Sequence, residues 1–164
     1  MPNTWIDSER SKSTLVRTLD NWWRSNCGAS GIPDRVDFDI VAHKNLMTNL
    51  LISDVEPEPF RIRYRLVGTR IVRNLGAEFT GRYLDEFLRP DHPTPWMDYY
   101  RVSYRDRLPL LGETIEPVES GGTITYEFGI FPVTLNGEGA VKQFIAVEDY
   151  FGYEPNSASL AGLL

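Results

Sequence analysis

The chain has 164 residues, of which 41% are hydrophobic and 24% charged, a composition that predicts one folded domain. Its formal net charge of −6 argues against broad binding to nucleic acid, which needs a concentrated positive field. Cys27 is the single cysteine, so an internal disulfide and a thiolate metal cluster are excluded. No apolar run reaches the about 18 residues of a membrane span, and the N-terminus lacks the apolar core of a signal peptide, which predicts a cytoplasmic protein.

Residues 8–26 have the hydrophobic periodicity of an amphipathic helix. The apolar stripe of this helix consists of Leu15, Val16, Leu19, Trp22 and Trp23. The turn-rich segment 27–35 follows and predicts a boundary. The stripe has two interpretations: it covers the sheet of its own chain, or it packs against a second copy in a homodimer. We prefer the homodimer, with the stripe as its interface.

The next segments predict a short helix over 37–47 and a buried strand over 49–55, followed by a turn and a second strand over 60–67. In this second strand the apolar positions share one face, namely Phe60, Ile62, Tyr64 and Leu66. The opposite face carries Arg61, Arg63 and Arg65. Burial of three unpaired guanidinium groups is costly, so we expect the apolar row to face the helices. The arginines then face solvent, a carboxylate such as Asp54, or a partner.

Helices are further predicted over 69–76, around 84–87 and over 94–109. From residue 112 the hydrophobic period becomes two, which predicts three antiparallel strands over 113–119, 124–135 and 140–150. The residues after 151 are expected to form a poorly ordered tail. Because strands and helices are segregated along the chain, the predicted class is α+β, an antiparallel sheet of five strands covered on one face by helices.

Four segments resemble the PAS domain family of bacterial sensory modules: IPDRVDFD at 32–39, LISDV at 51–55, RYRLVGTRI at 63–71 and LGAEFTGRYLDEF at 75–87. In the last segment, Gly76 and Gly81 punctuate the helix connections with which the ligand-side wall of that family begins. The resemblance implies a five-stranded sheet, cupped by helices, that holds a small molecule or pairs with another protein. The chain then divides into a flanking helix at 1–27, a PAS-like domain at 28–151 and a tail at 152–164.

A resemblance to this family implies a sensory or interaction module and does not imply catalysis. No kinase, cyclase or DNA-binding segment is recognised, so we expect any signal to leave through a partner protein. The expected ligand is a small apolar or aromatic molecule, because tyrosine and tryptophan favour a cavity with a few polar anchors. The candidate ligand-binding residues are Tyr64, Leu66, Trp96, Tyr99, Tyr100, Tyr126 and Phe128. Packing of these side chains in an ordinary core is the alternative.

The sequence does not predict which cofactor, if any, is bound. Flavin photosensors of the PAS fold carry a reactive cysteine on the helix after the second strand, whereas segment 69–76 has none and Cys27 precedes the sheet. Haem would need an axial ligand such as His92, for which an exposed position in a loop is the simpler interpretation. The alternative function is a small cone-shaped α+β enzyme acting on a small apolar substrate, with Asp85 or Asp98 as base.

Overall fold

The computed structural model describes residues 3–118 and 121–154. Its strands are β1 (Asn3–Trp5), β2 (Leu50–Pro57), β3 (Phe60–Val67), β4 (Leu110–Pro117), β5 (Thr123–Val133) and β6 (Gln143–Glu154). Its helices are α1 (Thr14–Ser25), α2 (Thr69–Leu75) and α3 (Trp96–Asp106), with single 3-10 turns at Ser8–Arg10, Arg35–Asp37, Met47–Asn49 and Leu84–Glu86. The six strands form one antiparallel sheet in the order β1-β4-β5-β6-β2-β3.

The α+β class is confirmed, but the sheet has six strands and not five. The additional strand β1 lies at the edge of the sheet, where Trp5 is paired with Leu111 of β4. Residues 37–47 do not form the predicted helix and lie mainly in turns. The predicted tail begins inside β6, and its residues 155–164 lie outside the described part of the chain. Within residues 3–118 and 121–154, no helix is long and apolar enough to cross a membrane.

Helical cover extends to both faces of the sheet, as the central strand β5 shows. On one face the ring of Phe128 lies 4.8 Å from that of Trp96, at the start of α3. On the other face the carboxylate of Glu127 accepts hydrogen bonds from the backbone N–H groups of Lys12 and Ser13, which precede α1. Helix α1 therefore covers the face opposite α3, whereas the sequence predicts cover on one face.

Helix α1 is built into the core of its own chain. Val16 and Leu19 have no exposed surface, and Trp22 and Trp23 are also buried, while Leu15 is half-buried. The structure thus shows the first of the two interpretations of the stripe. The assignment of these five side chains to a dimer interface is corrected, because four of them are already covered by the chain's own sheet. A homodimer through another surface stays a prediction.

The arginine row of β3 faces away from the core, as predicted. Arg61 donates two hydrogen bonds of 2.8 Å to Asp85, and Arg65 forms an ion pair with Asp54. Arg63 is exposed, whereas Ile62 on the opposite face has no accessible surface. The cationic groups therefore lie outside the layer between β3 and the helices.

A β-bulge in β3 reverses the alternation of its side chains after Tyr64. Tyr64 is paired with Ser53 and Leu66 with the adjacent Ile52, so Arg65 is an extra residue without a partner in the ladder. Because of this extra residue, Leu66 is turned to the outer face, where it lines a shallow groove together with Ile52. Its assignment to the ligand site is wrong for this reason.

Candidate functional site

A cavity of about 220 Å³ lies between the inner face of the sheet and the helical layer formed by residues 69–106. For comparison, an apolar cavity of about 150 Å³ inside a protein binds benzene. The space therefore accommodates a molecule of one ring with a short arm. Its lining residues are Leu51, Tyr64, Leu75, Ala77, Phe79, Arg82, Leu84, Phe87, Leu88, His92, Trp96, Tyr100, Glu116, Pro117, Tyr126, Phe128, Gly129, Ile130, Ala146, Val147 and Glu148.

Most of the residues that the sequence marks as ligand-binding lie in this lining. They are Tyr64, Trp96, Tyr100, Tyr126 and Phe128. Tyr99 lies one layer behind, because its ring stacks on that of Phe128 with a centroid distance of 5.7 Å, and it does not line the cavity. Leu66 is turned away by the bulge. The role of the five lining residues in binding a ligand stays a prediction.

Glu148 of β6 points its carboxyl group at the cavity. Only 9% of the residue is exposed, and Tyr150 donates a hydrogen bond to Oε2. Among the described residues, none donates a hydrogen bond to Oε1 and none forms an ion pair with Glu148. Burial, opposed by the hydrogen bond from Tyr150 and assisted by the charge of Glu116, raises the pKa of Glu148 to about 8. The carboxyl group is therefore mainly protonated at neutral pH.

Glu116 of β4 is the second buried carboxylate of the lining, and it has partners. Its Oε1 accepts a hydrogen bond of 2.6 Å from the indole of Trp96, and its Oε2 lies 3.5 Å from Nε2 of His92. This interaction with Glu116 raises the pKa of His92, against the effect of burial, and so favours the imidazolium. The expected exposed position of His92 is wrong, because its side chain lines the cavity.

Three tyrosines, Tyr64, Tyr100 and Tyr126, add neutral polar groups to the lining of the cavity. The oxygen atoms of Tyr64 and Tyr100 lie 3.5 Å apart, and both residues are buried. Burial raises the pKa of Tyr64, Tyr100 and Tyr126 above the usual range, and the nearby carboxyl groups raise those of Tyr64 and Tyr126 further. These hydroxyls therefore stay protonated and can donate a hydrogen bond to an occupant.

The family model described as PAS domain matches residues 10–142. The chain belongs to the PAS domain family. The resemblance that the four sequence segments carry is therefore confirmed, and the match includes helix α1. A search of curated proteins finds no match.

Solved structures of Light-Oxygen-Voltage (LOV) domains share the fold of this PAS domain. The LOV domain of a study with a flavin analogue is 17% identical, with a TM-score of 0.55 over 78% of this chain and 93% of that chain. The dark structure of the blue-light photoreceptor Aureochrome1 LOV is 16% identical, with a TM-score of 0.53 over 78% and 90% of the chains. The Rhodobacter sphaeroides LOV protein is 16% identical, with a TM-score of 0.51 over 79% and 77%. At these identities the likeness shows the fold alone.

Asp85 and Asp98, the candidate bases of the alternative enzyme, lie outside the cavity of the PAS domain. The hydrogen bonds from Arg61 hold the pKa of Asp85 below its usual range, against a small opposing effect of burial. Asp98 is exposed and forms an ion pair of 3.1 Å with Arg101. Neither carboxylate can reach a substrate inside the cavity, so these two assignments are corrected.

A polar cluster holds the start of α1 on the outer face of the PAS domain sheet. Glu127 of β5 accepts hydrogen bonds from the N–H groups of Lys12 and Ser13, at 2.9 and 3.0 Å, and from the hydroxyl of Ser11. Asp149 of β6 accepts a hydrogen bond of 2.7 Å from the hydroxyl of Ser13, which also caps the helix. These contacts explain why α1 begins at Thr14, since the N–H groups before it are bound by the sheet.

The buried carboxyl groups are not predicted from the sequence, because glutamate at alternating positions of a strand is typical of a solvent-facing side. One signal points to Glu148: it has the same parity as Phe144 and Ala146, which are buried side chains of β6. Glu116 likewise has the parity of Thr114, whose hydroxyl is buried against Thr94. Strict alternation along these strands identifies both residues as inward-facing.

Proposed function

We propose that this PAS domain is a sensory module that binds a small molecule in the cavity between its sheet and α3. The cavity itself is the observation that supports this most directly. The cavity is lined mainly by apolar and aromatic side chains, so an occupant that fills it gains contacts with these walls. Its presence or absence can therefore bias the conformation of the walls.

The lining does not fit a flavin, although one of the similar LOV structures is described with a flavin analogue. The volume of about 220 Å³ is below the about 300–1,000 Å³ of usual small-molecule and cofactor pockets, so it has room for one ring with a short arm and not for the three fused rings of a flavin. No cysteine lines the cavity, and Cys27 is exposed at the end of α1. The volume and the lack of a cysteine in the lining therefore disfavour a flavin photosensor of the LOV type.

A haem does not fit either, because both ring nitrogens of His92 are engaged. Nε2 faces Glu116 at 3.5 Å, and Nδ1 lies 3.0 Å from the carbonyl oxygen of Thr94. An axial bond to iron would break one of these contacts and leave the buried carboxylate of Glu116 without its cation. The residues of the cavity therefore favour an organic ligand held by hydrogen bonds and aromatic contacts.

Helix α1 is the element through which we propose that the cavity acts on a partner protein. Along β5, Phe128 faces the cavity and the preceding Glu127 holds the start of α1. Along β6, Glu148 faces the cavity and the following Asp149 holds Ser13. A shift of either strand on ligand binding therefore moves groups that carry the helix. The partner, the homodimer and the cytoplasmic location stay predictions.

Protein-observed NMR with a fragment collection of mixed charge tests the proposal. We expect several fragments to shift backbone amide signals of the cavity strands β3, β5 and β6. The variant Ala146→Phe fills the cavity from its floor, since Ala146 lines it, and should abolish these shifts. The matched control is Ala140→Phe, at an exposed position of the same chain segment.

Native mass spectrometry of the gently purified protein gives an independent readout. An added mass that is present in the wild type and in Ala140→Phe, and absent in Ala146→Phe, supports an occupant of the cavity. The proposal fails if no fragment shifts the cavity amides, or if the filled variant binds as well as the wild type. A module that acts only by protein contacts would then be the better description.

A further inference from the structure

We infer that the occupant of the cavity is a small aromatic or alicyclic amine whose protonated nitrogen binds Glu148. The inference rests on the proposed function and specifies the ligand class for the same cavity. The observations behind it are the charge balance of the lining, the orientation of the Glu148 carboxyl group, the aromatic walls and the volume.

Among the described residues, the carboxyl group of Glu148 is the one carboxyl group of the lining that has no cationic partner. Glu116 is balanced by His92 at 3.5 Å. Arg82 is half-exposed at the edge of the cavity, and its guanidinium faces Glu86 at 3.4 Å and the ring of Phe87. No described cation forms an ion pair with Glu148. The raised pKa of Glu148 keeps this carboxyl group mainly protonated at neutral pH, so a cationic ligand replaces that proton as the partner of the carboxylate.

The carboxyl group of Glu148 is oriented for such a ligand. The hydrogen bond from Tyr150 holds Oε2, and this leaves Oε1 without a described protein donor beside the open space of the cavity. The Oε1 atom lies beside the cavity, so an N–H group of an occupant can supply a hydrogen bond that no described residue donates. A hydrogen bond between a cation and a carboxylate is also stronger than one between neutral groups.

The walls around Glu148 favour a cation as well as a ring. Trp96 and Tyr126 lie nearly parallel with a centroid distance of 6.4 Å, and Tyr64 packs edge-on against Phe79 at 5.1 Å. The faces of such rings carry partial negative charge and attract ammonium groups within about 6 Å.

The volume sets the size of the test compounds. The cavity of about 220 Å³ is moderately larger than the cavity of about 150 Å³ that binds benzene. A molecule with one ring and an arm of two carbons is moderately larger than benzene, so its size suits this volume. Phenethylamine has this size and is cationic at pH 8. 2-Phenylethanol has the same shape without the charge, and phenylacetate has a negative charge.

Titration calorimetry of the full chain at pH 8 with these three compounds tests the inference without any mutation. We expect phenethylamine to bind at least about tenfold more tightly than 2-phenylethanol, the usual effect of a charge-assisted hydrogen bond, and phenylacetate to bind weakest. Glu148→Gln keeps the size of the side chain and should remove this preference. The control Glu113→Gln changes a glutamate of β4 that does not line the cavity and should bind like the wild type.

The pH dependence of amine binding gives a second readout. The pKa of Glu148 is about 8, so below this pH a cationic ligand must displace the proton of the Glu148 carboxyl group. The affinity for phenethylamine should therefore fall about tenfold for each pH unit by which the pH decreases below 8. The proton released should appear as a binding heat that depends on the buffer. The other titratable and charged groups around Glu148 are Tyr150, Glu116 with His92, Tyr64, Tyr100, Tyr126 and, acting on Tyr150 from α2, Arg70.

The possible results separate this inference from the proposed function. Equal affinity for the amine and the alcohol overturns the amine class, and so does an unchanged preference in Glu148→Gln or a complete lack of binding by the amine. In each of these cases, fragment binding that is lost in Ala146→Phe still supports a ligand cavity. If the filled variant binds fragments as the wild type does, both the cavity and the amine are rejected.

Discussion

Replacement of Glu148 by glutamine should change how the stability of the protein depends on pH. The pKa of this carboxyl group is raised from 4.5 to about 8 by burial, so its contribution to stability is fully present below pH 4.5 and is lost as the pH rises towards 8. The difference corresponds to about 5 kcal/mol in the limit, and to about 4 kcal/mol between pH 5 and pH 9. Glutamine has no proton to lose over this range. The variant should therefore be more stable than the wild type at pH 9, and the difference should decrease towards pH 5.

Urea unfolding followed by tryptophan fluorescence, at several pH values between 5 and 9, measures this difference. The pKa of His92 is raised by Glu116, so His92 also loses stabilising interactions as the pH rises through its folded pKa, and some slope remains in both proteins. The informative quantity is therefore the free energy of unfolding of the variant minus that of the wild type. Glu113→Gln serves as the control, with a difference that should not change with pH. Parallel curves for Glu148→Gln and the wild type would refute the burial of an unpaired carboxyl group.

Three further predictions concern the fold. Glu127→Ala removes three hydrogen bonds at the start of α1 and should lower the free energy of unfolding by about 3–5 kcal/mol, with faster amide hydrogen exchange in α1, whereas the exposed Glu138→Ala should change neither. Ile62→Ala should cost about 2–5 kcal/mol, because Ile62 is fully buried, and Leu66→Ala distinctly less; denaturant unfolding that gives equal losses would contradict the bulge and its reversal of the faces. Deletion of residues 1–27 should abolish cooperative unfolding, as followed by calorimetry, because it uncovers the outer face of the sheet; an intact, cooperative core would show that α1 is a separate flanking helix.

The sequence predicts the fold well wherever a periodic pattern is long. Alternation in segment 124–135 locates β5 with the correct inward side for Tyr126 and Phe128, because two-residue periodicity is unambiguous over many residues. The same reasoning gives the outward arginines of β3. The short strand β1 carries no pattern of its own, and only its pairing with β4 after folding makes it a strand.

Other features depend on contacts that a pattern does not contain. The bulge at Arg65 is a single extra residue, and nothing in the alternation from Phe60 to Leu66 indicates it. The sequence pattern likewise does not predict which surface the α1 stripe packs against, because an apolar stripe packs on any apolar partner. Glu127 determines that α1 packs on its own sheet, because this buried carboxylate accepts hydrogen bonds from the backbone just before the helix.

The alternation of β5 and β6 links the two faces of the sheet at adjacent residues. Phe128 and Glu148 line the cavity, whereas Glu127 and Asp149 hold the residues that lead into α1. Hydrogen bonds to a buried carboxylate weaken steeply with distance and angle, so a small displacement of β5 weakens the contacts of Glu127 with Lys12 and Ser13 more than the contacts of the apolar stripe. On the proposed function, we therefore expect a change of occupant in the cavity to act first on the polar start of α1, while the apolar contacts of Leu19 keep the helix docked.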